Sequence, residues 1–141
     1  MKYKNNRYYI ENISVDKICK IAGTPTYIYS YNKIKENILN FKRQFNSIDP
    51  LTCFSVKSNN NINILKIIKS FGLGADVVSM GELIRALKAG ISPKKIVFSG
   101  VGKTKEELKF AIKNKILLIN TESESELKMI VKIAKSMKKK N

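Results

Sequence analysis

A lysine at the end of an apolar strand is the first feature of this sequence that could do chemistry. The segment LTCFSVK (51–57) is short, apolar and partly β-branched, as the strands of a parallel sheet are. Lysine is rarely buried without a partner, so Lys57 at the end of this strand needs an explanation. Removal from water favours the uncharged amine, which attacks carbonyl carbons more readily. A structural lysine that is paired or reaches solvent is the alternative, and the spacing leaves both open.

Polar residues also close the other predicted strands. They are Asp76 and Ser79 in the second strand, Ser99 and Gly100 in the third, and Asn120 and Thr121 in the fourth. Ligands bind at the carboxyl ends of the strands in parallel βα arrays. We therefore expect Lys57 and Asp76 to be neighbours in a candidate site. Because side chains alternate along a strand, Lys57 should share a face with Cys53 and Ser55.

The elements that would position these residues follow from the hydrophobic periodicity. Four strands are predicted at 51–57, 74–79, 95–100 and 116–121. Four helices with an apolar stripe are predicted at 62–71, 80–89, 105–114 and 124–137. This alternation predicts an α/β fold with a parallel sheet. A further helix is predicted at 31–45 after an extended segment at 24–30, whereas residues 1–23 show no clear pattern.

Three of these helices begin with a serine or threonine that is followed by a glutamate three residues later. The pairs are Ser79 with Glu82, Thr104 with Glu107, and Ser123 with Glu126. Each pair fits a capping box, in which the hydroxyl accepts from the glutamate's backbone N–H and the carboxylate accepts from the N–H of the first residue. The pattern favours a capping role over a catalytic role for all three glutamates.

Composition indicates a globular protein. The chain has 141 residues, of which 43% are hydrophobic and 27% are charged. No apolar run is long enough to span a bilayer, and the N-terminus lacks the apolar core of a signal peptide. The two cysteines make neither a disulfide framework nor a metal-binding motif. We therefore expect a cytoplasmic protein that has no metal site and no membrane partner.

Several motifs, in the same order, resemble one enzyme family. FSVKSN (54–59) resembles the cofactor-lysine strand of the fold-type III, pyridoxal-phosphate-dependent decarboxylases. GLGADVVSMGEL (72–83) is similar to a stretch typical of diaminopimelate decarboxylases. The likeness continues through KIVFSGVGKTKEEL (95–108) and LINTESESEL (118–127), and it covers about residues 24–131.

The resemblance implies an alanine racemase-like barrel that binds pyridoxal 5′-phosphate, and it implies roles for two residues. Lys57 would form the covalent link to the cofactor, and Asp76 matches the acidic residue beside that lysine. The implied reaction is the decarboxylation of meso-diaminopimelate to lysine, a step of lysine biosynthesis, by a homodimer of the full-length enzyme. Related ornithine- or arginine-type decarboxylases and amino-acid racemases share the lysine and remain alternatives.

The predicted units make up only part of such a barrel. A closed (β/α)₈ barrel of the TIM type needs eight strands and typically about 250 residues, whereas four units are predicted here. The resemblance implies that a ring-stacking histidine comes from a later strand, and this chain has no histidine. We therefore expect an N-terminal segment at 1–23 and a truncated N-terminal half of the barrel at 24–141. An open strand edge would leave this chain marginally stable and inactive by itself.

A non-enzymatic alternative is a flavodoxin-like basic binding module. The net charge of +16 would suit nucleic acid, but only three of the 27 basic residues are arginines and the lysines are spread along the chain. We therefore expect no nucleic-acid partner. Strand order separates the two folds, because a barrel places its first strand beside the second, whereas a flavodoxin-like sheet places it between the second and the third.

Overall fold

The computed structural model describes residues 2–45 and 47–138, which belong to two compact units. The first unit is Met1–Asp49 and the second is Pro50–Asn141. The predicted division of the chain after residue 23 concerns the start of the barrel, and it stays a prediction.

In its described residues, 2–45 and 47–49, the first unit contains three short strands and two helices. In chain order they are β1 (Lys2–Lys4), β2 (Arg7–Ile10), β3 (Ile13–Ser14), α1 (Val15–Ala22) and α2 (Tyr31–Arg43). The strands form an antiparallel sheet in the order β1-β2-β3. Asn5 and Asn6 have φ angles of 49° and 56°, which suit the tight turn of a hairpin. Hydrophobic periodicity missed this hairpin because its strands are only three and four residues long.

A hydrogen-bonded glutamate helps to begin α2. Ser30 Oγ accepts from Lys33 N at 3.1 Å and so caps the helix. Glu11 Oε1 accepts from Asn32 N at 2.8 Å and from Ser30 Oγ at 2.7 Å. These two hydrogen bonds hold the pKa of Glu11 below its usual value of 4.5, and the bond from Asn32 has the larger effect.

The second unit alternates strands and helices, as predicted. In chain order they are β4 (Cys53–Ser55), α3 (Ile62–Ser70), β5 (Gly74–Val77), α4 (Met80–Lys88), β6 (Ile96–Phe98), α5 (Lys105–Lys113), β7 (Leu118–Ile119) and α6 (Glu124–Lys138). The strands form a parallel sheet in the order β4-β5-β6-β7. The first strand therefore lies beside the second and not between the second and the third. This order agrees with a barrel and contradicts the flavodoxin-like alternative.

The two faces of this sheet differ in burial. One face, the covered face, carries Phe54, Ala75, Val77, Ile96, Phe98 and Ile119. Its residues on the two central strands are fully buried, whereas Phe54 and Ile119 on the outer strands are partly buried. Helical residues pack against it, among them Leu83, Ala86 and Ala111. The other face, which we call the open face, consists of Cys53, Ser55, Gly74, Asp76, Val97 and Ser99. Apart from buried Gly74, these residues are half-buried, so the covered face supplies the core and the open face remains accessible.

Gly74 allows β4, β5 and β6 to lie close together. A Cβ atom at this position would lie 2.1 Å from the carbonyl oxygen of Lys95 and 2.8 Å from Cys53 Sγ. Neither distance permits a carbon atom without a shift of the backbone or of the thiol. Gly74 also donates its N–H to Thr52 O at 2.9 Å at the entrance to the sheet. A residue without a side chain is therefore required at the start of β5.

The helices agree with their predicted bounds to within one or two residues, but the strands are shorter than predicted. The first strand was predicted to run to Lys57 and ends at Ser55, because Val56–Ser58 form a 3₁₀ turn. Asn59 N donates to Val56 O at 3.0 Å and so closes that turn. Val56 remains in the core, while the backbone leaves the sheet before it reaches Lys57.

The three predicted capping boxes differ in the bond that the glutamate makes. The box at Thr104 is confirmed, because Glu107 N donates to Thr104 Oγ1 and Thr104 N donates to Glu107 Oε2. Ser79 Oγ accepts from Glu82 N as predicted, but the Glu82 carboxylate accepts from Val78 N at 2.9 Å. The predicted bond to the N–H of the first residue is thus wrong for this helix. The extended φ of −156° at Ser79, against −74° at Thr104, turns its N–H in a different direction.

The helix α6 follows the same variant of the cap. Ser123 Oγ accepts from Glu126 N at 3.2 Å, as predicted. Glu126 Oε2 accepts from Glu122 N at 3.3 Å, so the prediction that this carboxylate reaches Ser123 N is wrong. The second carboxylate oxygen of Glu126 is consequently available for a buried partner.

We expect Gly74→Ala to destabilise the second unit by about 2 kcal/mol, because the added methyl group overpacks the junction of three strands. The measurement is the free energy of unfolding in urea. Gly81→Ala is the matched control, since a Cβ there meets only Ser79 Oγ at 3.8 Å and alanine favours the helix by about 0.5–1 kcal/mol. Equal effects of the two substitutions would contradict the proposed close approach.

Candidate active site

Lys57 lies at the carboxyl end of β4, in the 3₁₀ turn that follows the strand. Its side chain is exposed, so the expected removal of the amine from water is not seen. The shortened strand explains this difference, because the chain turns at Val56 before Lys57 can be covered. Among residues 2–45 and 47–138, Lys57 Nζ has no hydrogen-bond or ion-pair partner. The amine is therefore accessible, and no acceptor in that part of the chain competes for its hydrogens.

Asp76 lies on the neighbouring strand, on the open face. It pairs in register with Ser55 of β4, two residues before Lys57 in the chain. Its Oδ1 atom accepts a hydrogen bond from Ser99 Oγ at 2.6 Å, which is a short, charge-assisted distance. Within the described part of the chain no ion pair joins Asp76 to Lys57. The structure places the two predicted site residues on adjacent strands without a direct contact.

A second hydrogen bond extends this contact across a third strand. Asn120 Nδ2 donates to Ser99 Oγ at 3.0 Å, so that Asp76, Ser99 and Asn120 form a continuous chain across β5, β6 and β7. Sequence reasoning placed Ser99 and Asn120 at strand ends but gave them no role. The signal that could have found them is their position at the ends of consecutive strands that follow Asp76.

The pKa of the Cys53 thiol depends on the charge of the open face. Burial raises the pKa of its thiol above the usual value of 9.0, and the negative charge of Asp76 raises it further. The thiol also donates to Lys95 O at 3.8 Å. The electrostatic contribution agrees with the register of the sheet, which puts both side chains on the same face.

Lys103 forms a buried ion pair beside the strand ends. Its side chain is 1% exposed and lies 2.8 Å from Glu126 Oε1, whose side chain is 8% exposed. Lys103 Nζ also donates to Gly100 O and Asn120 O, each at 2.6 Å. All three hydrogens of the ammonium group are thus used, as a buried charge requires. Lys103 holds together the loop after β6, the end of β7 and the first turn of α6.

Glu107 links the first turns of α4 and α5. Its Oε1 atom accepts from Met80 N at 3.0 Å, and its Oε2 atom accepts from Thr104 N at 2.9 Å. These backbone hydrogen bonds hold the pKa of Glu107 below its usual value of 4.5, and the bond from Thr104 has the largest effect. The carboxylate therefore fixes the spacing of two helices at the same edge of the sheet as the candidate site.

Two other features are absent from the described residues, namely a helix that could span a bilayer and a cluster of metal ligands. Among the helices of these residues, none combines the length and the apolar character that a bilayer span requires. In residues 2–45 and 47–138, Cys, Asp and Glu side chains also form no group of three that could hold a metal ion.

The second unit is thus a four-stranded parallel βα array with an exposed lysine just after its first strand. A family model described as "Pyridoxal-dependent decarboxylase, pyridoxal binding domain" matches residues 31–140. This match includes most of the chain. The chain therefore belongs to the pyridoxal-dependent decarboxylases, and the matched region is the pyridoxal-binding domain of that family.

Several relatives within the family carry one name. The chain is 42% identical to a diaminopimelate decarboxylase of Aquifex aeolicus over 99% of its own length and 33% of that of the relative. It is 51% identical to a diaminopimelate decarboxylase of Helicobacter pylori (strain J99) over 86% of its own length and 30% of that of the relative. The chain thus spans about a third of the length of the curated relatives that it matches.

Solved structures agree with this relationship. A crystal structure of a protein from Aquifex aeolicus has a TM-score of 0.92 and 42% identity, over 96% of this chain and 34% of that one. A diaminopimelate decarboxylase from Helicobacter pylori in complex with L-lysine has a TM-score of 0.83 and 46% identity, over 86% of this chain and 31% of that one. The predicted fold class, an α/β partial barrel of the alanine racemase-like type, is confirmed. The roles assigned to Lys57 and Asp76 stay predictions.

We expect Asp76→Asn to speed the alkylation of Cys53 by iodoacetamide about two- to fivefold near pH 7. Loss of the carboxylate charge lowers the pKa of Cys53, so a larger fraction of the thiol is ionised below that pKa. Mass spectrometry of the two cysteine peptides gives both rates in one sample. Cys19 is the internal control and should react at the same rate in both proteins, whereas an unchanged Cys53 rate would show that Asp76 does not face the thiol.

Proposed function

We propose that this chain supplies the cofactor lysine of a diaminopimelate decarboxylase and that Lys57 is this residue. The observation that carries the proposal is the exposed amine of Lys57 just after the first strand of the pyridoxal-binding domain, where an aldehyde could reach it. This amine has no partner among residues 2–45 and 47–138. Residues 24–141 would form the part of the barrel that this chain contributes. The predicted Lys57 and Asp76 would be its cofactor-binding residues.

The residues at the open face fit the proposed cofactor. Lys57 would hold pyridoxal 5′-phosphate covalently, with its amine linked to the aldehyde carbon of the cofactor. When bound, the pyridoxal ring accepts the electron pair that remains when a carboxylate leaves an amino acid as carbon dioxide. Asp76 would provide a fixed negative charge near the amine, because Ser99 holds one of its oxygens.

The substrate is proposed from the relatives. Those that match at 42–51% identity over most of this chain and carry the name diaminopimelate decarboxylase support meso-diaminopimelate. An ornithine decarboxylase from Entamoeba histolytica is 26% identical with a TM-score of 0.67, so its substrate class is less well supported. We further propose that the complete enzyme acts as a homodimer in the cytoplasm, which agrees with the resemblance of the motifs.

We expect borohydride reduction in the presence of pyridoxal 5′-phosphate to attach the cofactor to the peptide that contains Lys57. Reduction converts the reversible carbon–nitrogen link into a stable secondary amine, which peptide mass spectrometry locates. Lys57→Arg should remove this label, because arginine has no amine that forms the link. Lys66→Arg, a change of an exposed lysine of α3, is the matched control and should leave the label in place.

Two outcomes would contradict the assignment of Lys57. One is an equal yield of label on many exposed lysines of the original protein. The other is a label of undiminished yield in the Lys57→Arg variant.

We expect a fusion of this chain to the remaining C-terminal two-thirds of the Aquifex aeolicus relative to release carbon dioxide from meso-diaminopimelate. The high structural similarity of the replaced part should let the two portions complete one barrel. The rate with L-ornithine should be lower by about 100-fold, because polar groups that bind the second carboxylate would be left unpaired. Lys57→Ala should abolish release, and Lys66→Ala should not. Equal rates with both amino acids would refute the proposed substrate.

A further inference from the structure

The hydrogen bonds between Asp76, Ser99 and Asn120 have a defined direction. A carboxylate only accepts, so the hydrogen of the Ser99 hydroxyl must point to Asp76 Oδ1, 2.6 Å away. A hydroxyl has one hydrogen, so Ser99 Oγ can only accept from Asn120 at 3.0 Å. Asn120 must therefore present its amide N–H₂ to Ser99. The chain runs from Asn120 through Ser99 to Asp76 and ends on a negative charge.

This direction limits where the Asp76 carboxylate can turn. One oxygen is held by Ser99 on the side of β6, and Ser55 of β4 lies on the opposite side of β5. The Oδ2 atom receives no hydrogen bond from the described residues. It is the oxygen left to face a positive group or a ligand over the open face. Without the hydrogen bond from Ser99, the carboxylate could rotate toward water and would not keep this orientation.

The buried ammonium of Lys103 fixes the backbone at two members of the chain, Ser99 and Asn120. It binds the carbonyl oxygen of Gly100, the residue after Ser99, and that of Asn120 itself. Backbone bonds add to this, because Ser99 N donates to Val77 O at 2.8 Å and Asn120 N donates to Phe98 O at 2.9 Å. The backbone at residues 99–100 and at Asn120 is thus hydrogen-bonded both to Lys103 and to the neighbouring strand.

We propose that Ser99 and Asn120 are positioning residues that form a directed hydrogen-bond chain and hold the Asp76 carboxylate over the open face, beside the strand that carries Lys57. Their contribution to cofactor binding rests on the proposed function of Lys57. The orientation of Asp76 does not rest on it, because it follows from contacts within the chain. The two claims can therefore be tested separately.

The first experiment measures the orientation of Asp76 without any cofactor. The alkylation rate of Cys53 by iodoacetamide, measured against pH in the 141-residue chain, reports the charge of Asp76 near the thiol. Ser99→Ala should raise the rate toward that of Asp76→Asn, because a released carboxylate turns to solvent. Asn120→Ala should cause a smaller rise. Neither change should raise the rate further in the Asp76→Asn background, since the effect acts through that carboxylate.

The controls separate positioning from a general loss of structure. Ser99→Thr keeps the hydroxyl and should restore the slow rate. Ser70→Ala removes a hydroxyl that bonds Ile67 O at the end of α3, and it should leave the Cys53 rate unchanged. Asn120 is exposed, so Asn120→Ala keeps the test decisive if Ser99→Ala prevents folding.

The second experiment measures the binding of pyridoxal 5′-phosphate to the same proteins by absorbance titration. Ser99→Ala should weaken apparent binding about tenfold, which is the size expected for a hydrogen bond to a charged group. Ser99→Thr should restore binding. The Asp76→Asn, Ser99→Ala double variant should bind no more weakly than Asp76→Asn alone.

Each result decides one of the two claims. The positioning proposal is overturned if Cys53 reacts equally in the original chain and in folded Ser99→Ala and Asn120→Ala variants. It is also overturned if the Ser99 and Asp76 effects multiply, because a local packing effect would be independent of Asp76. Failure of the original chain to bind pyridoxal 5′-phosphate would refute the proposed function, while the alkylation rates would still decide the role of Ser99 and Asn120.

Discussion

The division of the parallel sheet into two chemically different faces is the constraint on which the candidate site depends. Helices bury the centre of the covered face completely, and each large apolar side chain buried there contributes about 1.5–3 kcal/mol. A shift of one residue in register would place Asp76 in this core and expose Ala75 or Val77. Burial of the apolar side chains therefore also decides which side chains remain on the open face. The candidate site therefore consists of the side chains that remain accessible on the open face at the carboxyl ends of the strands.

A buried ion pair then orders the loops at those strand ends. Removing Lys103 and Glu126 from water is costly, and the cost is offset because the ammonium group makes three short hydrogen bonds. Two of its acceptors are backbone carbonyls of segments that approach Asp76 from consecutive strands. Because the buried ammonium group needs these acceptors, it fixes the positions of the segments that supply them. This agrees with the proposal that Ser99 and Asn120 hold the Asp76 carboxylate in one orientation.

The amine and the carboxylate have opposite environments within one small region. Lys57 is accessible and unpaired among the described residues, whereas Asp76 is half-buried and held by a short hydrogen bond. An amine that must form and release a covalent link benefits from having no fixed partner, and a charge that must act at a distance benefits from being fixed. The chain belongs to the pyridoxal-dependent decarboxylases, and this difference agrees with the proposed role of Lys57 as the cofactor lysine. The turn after β4 leaves its amine exposed, as the proposal requires.

Local pattern was sufficient to predict the helices of the second unit, its parallel strands and the position of Lys57 at a strand end. These features depend on side-chain period and on caps, which involve residues that are close in the chain. The short hairpin of the first unit, the early end of β4 and the second halves of two caps were missed, because backbone dihedral angles decide them. Tertiary structure alone brought Lys103 to Glu126 and joined Asp76, Ser99 and Asn120, whose partners lie 21 or 23 residues apart. Contacts over such separations arise from strand register and from burial, which no local pattern of residues encodes.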